Sequence, residues 1–81
     1  MNVTVVLLGM HRVLLPPAAA SAGRVTMEFD EVGVPLSRVR ESLGMPADAP
    51  RIVFLDGRPV EDGTVLHDGE TVTFVSPLGG G

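Results

Sequence analysis

The feature that most constrains this fold is a change in the spacing of apolar residues near the middle of the chain. From Arg24 to Asp30 every second residue is apolar, and a period of two predicts a strand with one buried face. Leu36, Val39 and Leu43 then fall on one stripe of a helix. Pro35 suits its first turn. We therefore expect a strand followed by a short helix of about nine or ten residues.

Further strands are predicted on both sides of this pair. Pro16-Pro17 excludes a strand or a helix interior from the connection over residues 9–23. Asp56-Gly57 and the run from His67 to Glu70 are turn signals. The apolar, β-branched segments that read as strands are Asn2–Leu8, Arg51–Leu55 and Thr71–Val75, and Arg58–Val60 could pair briefly. The order predicts an α+β domain, with one main helix across a mixed sheet of four to five strands.

Composition narrows the class of protein. With 81 residues the chain is expected to form a single domain over residues 1–81, ending in a flexible tail at 77–81. Cys and Lys are absent and the net charge is −4, so we expect no thiol chemistry, no disulfides and no nucleic-acid partner. The apolar run Val3–Leu8 is too short to span a membrane. We expect a cytoplasmic location, because small secreted domains usually carry disulfides.

One feature does not suit a sheet covered by a single helix. Val6 and Leu8 lie opposite Val5 and Leu7 on the first strand, so both faces of that strand are apolar. The strand Arg51–Leu55 has the same property. A second apolar face predicts either a partner surface or a cover formed by the connection over residues 9–23.

The last sixteen residues carry a resemblance to a known family. The family's pattern is an Asp-Gly turn with an acidic residue, a strand with Val and Phe, a Pro, a small apolar residue and a terminal Gly-Gly. It is matched by Asp68-Gly69-Glu70, Val72, Phe74, Pro77, Leu78 and Gly80-Gly81. This end resembles the MoaD/ThiS sulfur carriers, the group that includes the small subunit of molybdopterin synthase. Two positions depart from the pattern, since Ser76 replaces a frequent Pro and Gly79 replaces a frequent Ala or Ser.

The resemblance implies a fold and a chemistry. The fold would be the ubiquitin-like β-grasp. The chain would be a protein cosubstrate rather than an enzyme, with no bound cofactor and no metal. A ubiquitin-activating-type enzyme would use ATP and Mg²⁺ to adenylate the carboxylate of Gly81. A persulfide or rhodanese-type donor would then convert it to a thiocarboxylate, and a downstream synthase would take the sulfur. Molybdopterin synthesis is slightly favoured over the thiamine pathway.

The residues of the tail agree with that role. Glycine has no Cβ, so Gly79, Gly80 and Gly81 can thread a narrow channel in a partner's active site. Residues 77–81 reach roughly 16 Å when extended, and Pro77 stiffens the base of the tail. The resemblance places Val75 and Leu78, beside Pro77, at positions that contact the activating enzyme.

Two other functions stay open. A ubiquitin-like modifier would pass the same activated Gly81 to an amine of a target protein. A plain β-grasp interaction module would need no tail chemistry. No nucleophile motif is present, and His67 beside Asp68 is a weak metal pair.

Overall fold

The computed structural model describes residues 1–9, 14–15 and 22–76 of the chain. These residues form seven strands and one helix, and the helix comes after the third strand. They are β1 (Asn2–Leu8), β2 (Arg24–Glu28), β3 (Val34–Pro35), α1 (Leu36–Ser42), β4 (Ile52–Leu55), β5 (Arg58–Pro59), β6 (Val65–Leu66) and β7 (Thr71–Val75).

The main sheet has five strands in the order β2-β1-β7-β4-β5. The two central strands, β1 and β7, are parallel, whereas β2 and β4 run antiparallel to their neighbours. The prediction of a mixed sheet of four to five strands with one main helix is confirmed over the described residues. The first and last strands have the predicted bounds, because alternating β-branched residues between turns define them clearly.

One face of the sheet packs against α1. Val3, Val5 and Leu7 of β1 are fully buried there, as are Val72 and Phe74 of β7. The helix contributes Leu36 and Val39 to the same apolar core. Because successive strand residues point to opposite faces, the alternation in sequence selects this buried set.

The helix begins within one residue of the predicted start, but it is shorter than predicted and an unpredicted strand precedes it. Val34 and Pro35 form β3, a two-residue strand that pairs with β6 through Val34–Leu66 and Pro35–Val65. Pro35 is the N-cap with extended backbone and supplies no side-chain cap bond. The helix is therefore only 7 residues long. The pairing of β3 with β6 joins residues far apart in sequence, so local spacing did not reveal it.

Candidate functional site

The face of the sheet opposite the helix is divided into a polar part and an apolar part. Register places Thr4 beside Thr71 and Thr26 at one end. At the other end, Val75 of β7 lies between Leu8 of β1 and Ile52 of β4. The next row toward the polar end continues with Val6, Thr73 and Phe54. We call Val6, Leu8, Ile52, Phe54 and Val75 the open patch.

The open patch is accessible to solvent. Leu8 is 46% exposed and Ile52 is 45% exposed, while Val6, Phe54 and Val75 are half-buried. Within the described part of the connection after β1, Leu15 is buried in the core beneath the sheet and Leu14 packs against that core. These two leucines therefore lie on the helix side and do not cover the patch.

Strand β7 is held firmly where it begins. The Thr71 N–H donates to the carboxylate of Asp56 at 2.9 Å, and the Asp56 N–H donates to the carbonyl of Thr71 at 2.9 Å. The turn that follows β4 needs a positive φ at Asp56 and Gly57, and an Asp-Gly pair adopts that conformation readily. The Asn2 N–H donates to Asp68 at 2.7 Å. Side-chain carboxylates thus fix the register of the central strands at this end.

The opposite end of β7 leads into the tail. Val75 is its last residue, and Ser76 is the last residue of the chain that the structure describes. The Ser76 N–H donates to the carbonyl of Leu8 at 3.3 Å. The Ser76 side chain is buried, 4% exposed, and its hydroxyl has no hydrogen-bond partner among the described residues. The tail therefore begins at the edge of the open patch.

The predicted site residues fall on both sides of this point. Val75 lies on the open face, opposite the buried Phe74, as its place in the alternation predicted. Pro77, Leu78 and residues 79–81 lie outside the described residues. Reading the sequence did not single out Gly9, which contacts the base of the tail. The sequence feature that could have identified Gly9 is its position directly after the first predicted strand.

The ion pair of Arg38 with Glu31 lies away from this end. Arg38 donates to the carboxylate of Glu31, and this hydrogen bond holds the pKa of Glu31 below its ordinary value. Phe29 lies under the guanidinium of Arg38 at 5.7 Å from its ring centre. Since Phe29 pairs with Met1 at the start of β1, this group sits at the end of β1 opposite Leu8.

The described residues offer few other candidate sites. They form no ligand-sized pocket and no cluster of three or more His, Cys, Asp or Glu side chains able to hold a metal ion. No helix in that part of the chain is long and apolar enough to cross a membrane.

The topology defines the class of this domain. A mixed sheet with parallel central strands, crossed on one face by a helix, is the β-grasp fold. A solved chain from the "protein-protein complex of subunit 1 and 2 of Molybdopterin-converting factor" of Helicobacter pylori 26695 is similar, with a TM-score of 0.64, 17% identity and 100% of both chains covered. No protein-family model matches the sequence, and no curated protein matches it either. The similarity establishes the fold.

Proposed function

We propose that this chain is a sulfur carrier whose C-terminal Gly81 carboxylate is activated by a partner and converted to a thiocarboxylate. The observation that carries the proposal is the position of the open patch. It lies at the end of the sheet where β7 passes into residues 77–81, and Val75 belongs both to the patch and to the approach to the tail. A partner bound to the patch would lie beside the start of the tail.

The chemistry needs reactive groups from elsewhere. The carboxylate oxygen of Gly81 attacks the α-phosphate of ATP, and pyrophosphate leaves. The terminal sulfur of a partner's persulfide then attacks the acyl carbon, a C–S bond forms and AMP departs. A second thiolate breaks the S–S bond, which gives the thiocarboxylate and a disulfide. Because this chain has no Cys, both thiols would belong to partners. We propose that the Mg²⁺-binding groups belong to a partner as well, since the described residues form no cluster of three or more His, Cys, Asp or Glu side chains.

The neighbouring structure suggests one kind of partner. Its chain comes from a complex of two subunits of a molybdopterin-converting factor. By analogy of fold, we propose that a synthase subunit receives the tail of this chain and takes the sulfur. An adenylating enzyme and a persulfide or rhodanese-type donor would act before that subunit. Molybdopterin synthesis is the favoured destination, and a cytoplasmic location would suit these partners.

The test is the intact mass of the protein recovered from its native cells. A carrier should show a species heavier by the difference between one sulfur and one oxygen. Deletion of Gly80-Gly81 should abolish that species without lowering thermal stability, because those residues follow the described fold. An affinity tag at the N-terminus should preserve the species, whereas the same tag at the C-terminus should remove it by converting the Gly81 carboxylate to a peptide bond.

Two outcomes would contradict the proposal. A ladder of larger conjugates without the sulfur-bearing species would indicate a modifier that is joined to target amines. Full biological activity of the chain lacking Gly80-Gly81 would indicate an interaction module without tail chemistry.

A further inference from the structure

Gly9 and Ser76 meet where β1 ends and the tail begins. Leu8 and Val75 are the last paired residues of the two central strands, so Gly9 and Ser76 are the next residue of each. Gly9 adopts a φ of +77°. A Cβ built on Gly9 would lie 2.9 Å from the Cβ of Ser76 and 3.6 Å from its backbone nitrogen. The two residues are in close contact because Gly9 has no side chain.

This contact is unlike those of three other glycines with a positive φ. Gly44, Gly57 and Gly69 have φ values of +78°, +87° and +85°, and a Cβ at any of them would meet nothing within 4 Å. Those positions need glycine for the backbone conformation alone. Gly9 needs it for the backbone and also for the space occupied by Ser76.

We propose that the contact of Gly9 with Ser76 is a joint that sets the position from which the tail leaves the sheet. Gly9 is then a positioning residue for the reaction of Gly81, and this role rests on the proposed function. A side chain at residue 9 would press on Ser76, which is buried and donates a backbone hydrogen bond of 3.3 Å to Leu8 of β1. A Cβ at this distance requires residue 9 or Ser76 to shift, and a shift of Ser76 would carry residue 77 with it.

The effect on transfer follows from the geometry of a tethered reactant. The open patch and the start of the tail have a fixed spacing, set by the pairing of Leu8 with Val75. A partner that binds the patch would receive the start of the tail at a defined offset from that surface, and the Gly81 carboxylate would have to reach its active site from there. A misplacement of about 1 Å in a reacting group can lower a rate about 100-fold. Loss of the joint should therefore lower the maximal rate of thiocarboxylate formation more than it weakens binding of the partner to the open patch.

A double-mutant cycle tests the contact itself. Gly9→Ala introduces the Cβ and Ser76→Gly removes the atom that it meets. Gly44→Ala is the matched control, because it imposes nearly the same positive φ without a clash. We expect G9A to lower the melting temperature more than G44A and to speed hydrogen exchange at the Ser76 amide. In the G9A/S76G double variant, the additional loss of melting temperature relative to G44A should disappear, and exchange at residue 76 should slow again. If G9A and G44A lower the melting temperature equally and leave the same exchange rate at the Ser76 amide, the proposed joint does not exist.

A second measurement tests positioning. Purified variants are added at increasing concentration to an extract of the native cells with ATP and cysteine, and thiocarboxylate formation is followed by intact mass. At a temperature where every variant is folded, G9A should lower the maximal rate about 10- to 100-fold, with the half-saturating concentration within about twofold of wild type. G44A should match wild type, and S76G should restore the rate of G9A.

The outcomes separate the joint from the proposed function. A G9A defect that disappears at high carrier concentration, or that S76G fails to restore, would refute positioning while leaving the carrier function intact. If wild-type protein forms no thiocarboxylate, the proposed function and the positioning role both fail. The exchange data would then still report whether the contact exists.

Discussion

The two faces of the sheet are both apolar near the tail, yet the described residues bury only one of them. On β7, Val72 and Phe74 are fully buried against the helix layer, whereas Val75 is half-exposed on the other side. The same strand therefore directs one set of side chains into the core and the other set toward solvent. The buried set stabilises the domain, and the exposed set remains available to a partner.

The open face also has an internal order. Three of its four threonines, Thr4, Thr26 and Thr71, occupy one end of the sheet, as expected for a face in water. The fourth, Thr73, lies between Val6 and Phe54. Its exposed aliphatic residues, Leu8 and Ile52, flank the last residue of β7 at the other end. Apolar exposure that is gathered at the start of the tail is typical of a binding surface rather than of scattered surface residues.

The largest expected effect separates the two faces through stability. Phe74→Ala should lower the free energy of unfolding by about 3–5 kcal/mol, because it removes a fully buried ring and leaves a cavity. Val75→Ala, one residue further along the same strand, should lower it by about 1 kcal/mol or less. Urea denaturation followed by circular dichroism measures both. Comparable losses at the two positions would contradict the assignment of the faces.

The next effect separates the faces through partner binding. Leu8→Thr/Ile52→Thr places a β-branched side chain at both strand positions but removes apolar surface from the open patch. It should raise the half-saturating concentration for thiocarboxylate formation about 5- to 30-fold, equivalent to about 1–2 kcal/mol of lost contact. The measurement is the half-saturating concentration in native-cell extract.

The control for that experiment removes exposed aliphatic residues elsewhere. Val32 is 86% exposed and Val65 is 47% exposed, and neither belongs to the main sheet. Val32→Thr/Val65→Thr should leave the half-saturating concentration unchanged. An equal change in both double variants would mean that general apolar exposure, and not the open patch, governs the interaction.

A smaller effect is expected at the polar residue of the buried face. The Ser76 hydroxyl is buried without a partner among the described residues, and a buried unpaired hydroxyl is unfavourable. Ser76→Ala should raise the free energy of unfolding by about 0.5–1 kcal/mol and keep the thiocarboxylate, since the Cβ that meets Gly9 remains. Thermal denaturation and intact mass report the two properties. A loss of stability would show that the hydroxyl has a partner.

The smallest effect is expected outside both faces, at the exposed pair of Arg38 and Glu31. Arg38→Gln should raise the pKa of Glu31 toward its ordinary value, because the hydrogen bond that lowers it is lost. Any stabilisation by the lowered pKa is present above the unfolded-state pKa and is lost as the pH falls through the folded-state pKa. NMR titration of the Glu31 carboxyl carbon checks the shift. Arg58→Gln, on β5, should leave the titration unchanged.

The strands that local chemistry defines were predicted closely. Alternating β-branched and apolar residues determined the bounds of β1 and β7, and Asp56-Gly57 determined the turn after β4. The same alternation indicated which residues of β7 face the core, and so placed Val75 on the open face. These features depend on neighbours within a few residues, and the sequence contains them directly.

The elements that depend on distant partners were decided by tertiary structure. Strand β3 exists because Val34 pairs with Leu66 and the Leu36 N–H donates to the carbonyl of Thr64 at 2.8 Å. No local sequence pattern shows whether Val34 and Pro35 form a short strand or the first turn of the helix. Likewise, the apolar residues on both faces of β1 predicted a second surface, but only the packing of Leu15 in the core showed that this part of the connection leaves it open.

The amino-acid sequence by itself therefore determined the strand and turn chemistry, the cysteine-free composition and the glycine-rich end. The tertiary structure alone decided that Gly9 meets Ser76 and that Leu8, Val75 and Ile52 form one surface at the start of the tail. The physical reason is the range of the interactions. Backbone preference and alternation act between near neighbours, whereas sheet register and close packing join residues from opposite ends of the chain.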